Sequence, residues 1–430
     1  MIGNYAGEVA ARLDRLPYTA TLKRFVLLIS LGGIFELYDL FLNAYIAPGL
    51  VRSGLFTTSP AGFFDPHGVG FFVFSTFAGM WVGCVCFGFI ADRFGRRSIF
   101  TFALVWYSLA TAVMAFQSTA EGIVLWRFIA AVGVGLEQIT IDTFLPELVP
   151  PKNRGAAFAR YQFIEFLIVP VVALLGWLWI PHRFMEMDGW RWVVLLGSVG
   201  ALSAWWLRRA LPESPRWLAL HGHDAKAEVV LAKIEAGAAK DVGLDSLPPP
   251  PPHHEPVIAK SSIMELFKPP YAKRTLVLSI FNLMQTIGFY GFGSWVPTLL
   301  IAKGITVTTS LQYAFIIALA NPVGPLLGLL FADKMERRYQ IACAGVLVGI
   351  FIYLFAIQTN PALIIVLGVL VTLSNNWISF VFHGYQAEQY PTRIRARAVG
   401  FVYSWSRVSA AFAGLFGEKT LSRRLEEISQ

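Results

Sequence analysis

Apolar residues in this chain do not alternate with polar ones. They gather in blocks long enough for a helix of about 20 residues to cross a hydrocarbon layer ~30 Å thick. Eleven such blocks stand near 25–49, 69–90, 98–116, 122–145, 156–180, 190–207, 274–300, 311–331, 339–357, 362–386 and 398–417. In lipid a backbone must satisfy its own polar groups, which leaves helices or closed barrels, and continuous apolar runs without period-two alternation choose helices. The pattern predicts an all-α membrane protein. Its polar stretches divide it into an N-terminal segment (1–24), a helical half (25–207), a linker with the run Pro248–Pro252 (208–273), a second helical half (274–417) and a polar tail (418–430).

Composition agrees, with 56% hydrophobic and 14% charged residues where soluble chains carry roughly a quarter charged. The first block follows a basic stretch but outruns a signal-peptide core and lacks a small-residue cleavage site, so it is expected to remain as helix 1. The net charge of +8 does not mark a nucleic-acid binder, because the cations sit in short loops. Lys23, Arg24, Arg93, Arg96, Arg97, Lys152, Arg154, Lys334, Arg337, Arg338, Arg393, Arg395 and Arg397 all fall on one side of the threaded blocks. That side is expected to be cytoplasmic, with the N-terminus inside and the chain multi-pass in an inner or plasma membrane. Three cysteines, two of them two apart on one helix, imply no disulfide and no metal site. No cofactor is called for, and no nucleophile triad or phosphate loop argues for an enzyme.

An internal repeat divides the chain. ADRFGRR from Ala91 reappears as ADKMERR from Ala332, an offset of 241 (332 minus 91), and ELVPPKNR from Glu147 reappears as EQYPTRIR from Glu388 at the same offset (388 minus 147). Two motifs in one register indicate a duplication of six-helix halves. Block 6 shifted by 241 would begin at 431, beyond Gln430. LPESPRWL after block 6 instead pairs with FGEKTLSRRLEEI after block 11, Glu213 with Glu418, at 205 (418 minus 213). The reading is that a twelfth helix is missing and about eleven spans remain.

GFIADRFGRR from Gly88, RFIAAVGVGLE from Arg127, PESPR from Pro212 and EQYPTRIRARAVG from Glu388 resemble major facilitator superfamily signatures. ARLDRLP from Ala11 and FELYDLFLNAYIAPGL from Phe35 are similar to proton-coupled metabolite and aromatic-acid symporters, including nicotinate-type carriers. The resemblance implies a major facilitator fold with two pseudo-symmetric halves, alternating access and proton-coupled symport. It also implies a cytoplasmic latch built from Gly88, Asp92, Arg93, Gly95, Arg96, Arg97, Glu147 and Arg154, with Asp333, Arg337, Glu388 and Arg395 in the second half. A plain positive-inside signal would explain the cations, but not Asp92 or Gly95. Glu336 stands where the first half has Gly95, which weakens the second copy.

Ionisable residues within the blocks are costly in lipid and mark sites or partners. Glu36 and Asp39 lie well inside helix 1 and Arg127 enters on helix 4; by resemblance Asp39 is the proton carrier, with Arg127 as partner, and the alternative is a static ion pair. Arg407 is a lone mid-membrane cation whose two-pronged guanidinium suits a carboxylate, so either an anionic substrate or an acid such as Glu165 completes it. Tyr38, Asn282, Gln285, Tyr290, Asn375, Asn376 and His383 are candidates for reading the substrate; the amides serve equally as interhelical hydrogen-bond glue. The expected partners are a small organic anion, protons and the bilayer, with the chain as a monomer. A sugar-like or drug carrier, and a transport-dead sensor or scaffold, remain open.

Overall fold

The computed structural model describes residues 2–58, 61–244, 247, 249–250, 263–326, 335–390 and 392–429. The helices are α1 (Ile2–Asp14), α2 (Ala20–Arg52), α3 (Val69–Phe94), α4 (Arg96–Ala115), α5 (Ala120–Leu148), α6 (Arg154–Phe166), α7 (Ile168–Trp179), α8 (Gly189–Gly197), α9 (Gly200–Ala210), α10 (Pro215–Leu220) and α11 (Asp224–Val242). After the linker come α12 (Ala272–Ala302), α13 (Val307–Ala318), α14 (Arg337–Ile357), α15 (Pro361–Glu388) and α16 (Thr392–Ser429). The apolar blocks are helical where they are described, apart from block ends and turns at 167, 198–199 and 319–322. Eight stretches among the described residues are long and apolar enough to cross a membrane.

Local chemistry sets several boundaries. Thr119 caps α5 by accepting from Gly122 N at 3.1 Å, and Asn360 caps α15 ahead of a proline in the first turn. Block 5 is broken at Leu167 because Pro170 has no N–H to give to the preceding turn. A two-residue turn at Met185 and Glu186, both with positive φ, closes a short hairpin between Arg183–Phe184 and Met187–Asp188; a single bridge between Thr57 and Gly68 is the other β pairing among the described residues.

The 241-residue repeat holds in three dimensions. Arg96 pairs with Glu147 at 3.1 Å, and Arg337 pairs with Glu388, the same two positions shifted by 241. Gly83 lets α3 lie against the α5 backbone at Val132, and its equivalent Gly324 lies against Asn376 of α15. Small residues permit this approach in lipid, where apolar surface supplies little drive between helices. All four ion-pair partners lie at one end of the bundle, here called the basic end. The halves touch towards the opposite end: Phe74 of α3 on Phe412 of α16 (5.7 Å between ring centroids), and Trp177 of α7 stacked on Phe315 of α13 (5.8 Å).

Three of the polar segments carry structure of their own. In the N-terminal segment and the start of the linker, α1, α10 and α11 pack on a separate core of Val9, Leu13, Leu16, Trp217, Leu218, Leu231 and Ile234. Arg12 ties them together through Glu228 (2.7 Å) and Glu235 (2.6 Å). The helical pattern of α11 was faint because alanines 227, 238 and 239 hold three of the five positions of its buried stripe. The segment from 418 also prolongs α16 rather than forming a separate tail, and Glu418 lies at the opposite end from its supposed counterpart Glu213.

A Cβ built on Gly83 would meet the Val132 carbonyl oxygen at 2.2 Å, whereas Gly155 has nothing within 4 Å. Gly83→Ala is therefore expected to destabilise the helical bundle by about 1–3 kcal/mol. Gly155→Ala should change stability by less than about 0.5 kcal/mol, both measured by thermal unfolding in detergent.

Candidate functional site

The densest polar cluster within the bundle surrounds Asp39 and Arg127, 1% and 0% exposed. Arg127 Nη1 lies 2.8 Å from Asp39 Oδ2, and Nη2 donates to the Asp39 carbonyl oxygen at 2.8 Å. Thr111 donates to Asp39 Oδ1 at 2.8 Å, and Arg127 Nε donates to Thr76 Oγ1 at 3.0 Å. Asn43 donates to the same hydroxyl at 3.0 Å. The pair expected from the sequence is thus assembled from α2, α3, α4 and α5, all of one half. Glu36, a turn away on α2, does not join it; its electrostatic neighbours are Glu137, Glu165, Asp142 and Arg407.

Arg407 on α16 is 1% exposed. It donates to Tyr290 (2.8 Å) and Tyr403 (3.1 Å), lies over both rings, and bonds the Gln138 amide oxygen. All three acceptors are neutral. Among the described residues no carboxylate, Glu165 included, comes within ion-pairing distance of it. Tyr290 also packs on Phe77 (4.7 Å) and lines the smaller of two cavities that share Phe41, Phe289 and Gly293.

The larger cavity has a volume of about 40 Å³, room for a few water molecules, so a ring-sized ligand requires it to widen. Phe41, Tyr45, Phe289 and Phe292 give it an aromatic wall, and Asn321, Asn375 and Asn376 a polar one. Asn376 Nδ2 is committed to the Asn321 carbonyl oxygen at 3.1 Å. Asn375 is 4% exposed and has no hydrogen-bond partner among the described residues, so its amide opens onto the cavity.

The other candidates separate. Asn282 donates to the Leu278 carbonyl (3.0 Å), the His383 ring meets the Ser379 carbonyl (2.7 Å), and Gln285 lies beside Thr286 (3.4 Å); these contacts belong to their own helices. Tyr38 is placed away from the cavity: its hydroxyl donates to the Val193 carbonyl at 2.6 Å and its ring lies on Gly197, where the absence of a side chain admits it. Gln138 was not anticipated, and the only sign of it was a second polar residue following Glu137 in an apolar helix.

The residues of the expected latch take separate places. Gly95, with φ +95°, makes the turn between α3 and α4. Glu213 fills the space where a Cβ would stand and accepts from Arg97 N at 3.0 Å, so PESPR caps α4. Gly88 lies within α3, Arg93 is exposed over the Phe94 ring, and Arg154 folds onto the Pro146 carbonyl at 3.1 Å. The side chains of Asp92 and Arg395, and all of Asp333, lie outside the described residues.

With this geometry in view, the family follows. The model described as Major Facilitator Superfamily matches residues 29–414, and the chain belongs to that superfamily. It is therefore a multi-pass secondary transporter and not an enzyme. Bacillus subtilis YyaJ, named for metabolite transport, is 30% identical over 410 residues, covering 95% of this chain and 88% of that one. The niacin transporter NiaP of Acinetobacter baylyi is 28% identical, covering 94% and 89%. The solved xylose transporter XylE of Escherichia coli, in a partially occluded inward-open conformation, superposes with a TM-score of 0.71 at 19% identity over 93% of this chain and 92% of that one.

At the opposite end of the bundle Glu418 of α16 accepts from the backbone N–H groups of Val69 and Gly70, joining the two halves. Burial pushes its carboxyl up to about 7 against those two donors, and Asp65 in the preceding loop adds to the rise. His67 and Glu121 lie beyond Asp65, and Lys419 follows on the same helix. A carboxyl held above its ordinary range binds its proton more tightly in contact than when freed. The contact is therefore favoured in acid and loses stability as pH rises through about 7. Spin labels on the exposed Phe64 and Phe416 should report a longer mean distance at pH about 8 than at about 6, and Glu418→Gln should flatten that dependence.

Proposed function

We propose that this transporter is a proton-coupled symporter of a small organic anion, an aromatic or heterocyclic carboxylate, working by alternating access of its two halves. The observation that carries the reading is Arg407, a buried cation whose hydrogen-bond partners among the described residues are all neutral, one of which, Tyr290, lines a small cavity adjoining the aromatic and amide-lined one. A ligand carboxylate supplies the missing charge, since hydrogen bonds between ionised partners are roughly twice as strong as neutral ones. The niacin named in the relative NiaP is such a molecule, a pyridine ring bearing a carboxylate. Hydroxyl groups would also suit the amides of the cavity, and a sugar-like substrate is the competing reading; only a charged ligand neutralises Arg407.

Asp39 and Arg127 supply the coupling in this reading. A buried pair alternates between a charged, bonded form and a form in which the carboxyl carries a proton and the arginine turns to its remaining acceptors. Thr76 and the Asp39 carbonyl are those acceptors. The basic end then faces the cytoplasm, and the ion pairs Arg96–Glu147 and Arg337–Glu388 brace each half there.

Two measurements test this. In proteoliposomes under an imposed pH gradient, Asp39→Asn is expected to abolish accumulation of nicotinate while exchange persists; undiminished proton-driven accumulation removes Asp39 from the role. Arg407→Ala is expected to weaken nicotinate at least about tenfold and nicotinamide far less. Equal losses for the two ligands would mean that Arg407 holds the helices rather than the substrate.

A further inference from the structure

Arg407 has one partner from the other half. Tyr290 and Tyr403 belong, like Arg407, to the second half, but the Gln138 oxygen comes from α5 of the first. This bond crosses between the halves at a fully buried guanidinium. Asp142, one turn further along α5, acts on Arg407 electrostatically but stays outside ion-pairing distance. The neutral amide is therefore the group that the first half presents to the cation.

We propose that Gln138 is a positioning and specificity-determining residue of the transport cycle, its amide oxygen holding in the ligand-free protein a place that the substrate carboxylate takes when it binds. The inference rests on the anion reading of Arg407. The amide and the carboxylate both offer an sp² oxygen acceptor, so one can replace the other without a change in geometry at the guanidinium. They differ in charge, and the ionised acceptor wins the exchange. When it does, the halves lose their direct bond and are joined instead through the ligand. A neutral ring of the same shape cannot displace Gln138 as well, so the amide also discriminates against uncharged analogues. Glutamine suits the role because its oxygen satisfies Arg407 in the empty protein without neutralising it.

The protein is tested with nicotinate and benzoate against nicotinamide and benzamide, by binding and thermal unfolding, in wild type, Gln138→Glu, Gln138→Leu and Arg407→Ala. Gln138→Glu places a permanent carboxylate on Arg407. It is expected to raise the unfolding temperature of the ligand-free protein and to weaken both carboxylates at least tenfold. Gln138→Leu removes the competitor and is expected to bind the carboxylates as tightly as wild type or up to severalfold tighter, with a smaller preference over the amides. Carboxylate affinity lost in Arg407→Ala but unchanged in Gln138→Glu overturns the role of Gln138 and leaves that of Arg407. Unchanged carboxylate affinity in Arg407→Ala overturns the anion reading and this inference with it.

Discussion

A guanidinium cannot shed its proton inside a protein, so each arginine buried in the helical bundle must be satisfied by what surrounds it. The chain meets this demand in two opposite ways. Arg127 is satisfied within one half, by a carboxylate, a carbonyl and a hydroxyl fixed on packed helices. Arg407 is held by two phenols of its own half and an amide of the other, none of which brings charge, and its Nε has no partner among the described residues. The first arrangement is complete without a ligand. The second makes the electrostatics of the interface depend on what enters it.

That difference orders the rest of the structure. Helices within each half are tied by ion pairs at the basic end and by glycines that bring backbones together, so each half is packed as a unit. Contacts between the halves are of another kind: aromatic rings, one carboxylate on a helix N-terminus, and the amide on Arg407. These can part and re-form at modest cost, as rocking of one half against the other demands. The small helical unit of α1, α10 and α11 lies where the latch does, with Trp217 near Gly95 and Glu213 on Arg97 N, and so connects the chain's first helix to the turn between α3 and α4.

Much of this was legible in the sequence because membrane physics leaves strong marks. The spans stood out as apolar runs, and the shared offset of 241 anticipated two ion pairs that it had no means to see, Arg96–Glu147 and Arg337–Glu388. The cost of charge in lipid singled out Asp39, Arg127 and Arg407. What stayed hidden were interactions that depend on the direction of a side chain. Tyr38 and Asn375 are both polar residues in apolar helices, yet one turns into a helix interface and the other into the cavity. Gln138 carries no charge and no motif. Glu418 looked like a counterpart of Glu213 because both follow an apolar block, but α16 runs on without a turn and delivers it to the other end.

The central claim is that a substrate carboxylate completes Arg407, and a structure of the protein with nicotinate bound addresses it most directly. The account predicts the carboxylate within about 3 Å of the Arg407 nitrogens, the ring against the aromatic wall near Asn375, and Gln138 turned away from the guanidinium. A nicotinate held elsewhere, with Arg407 still bonded to Gln138, Tyr290 and Tyr403, would contradict it.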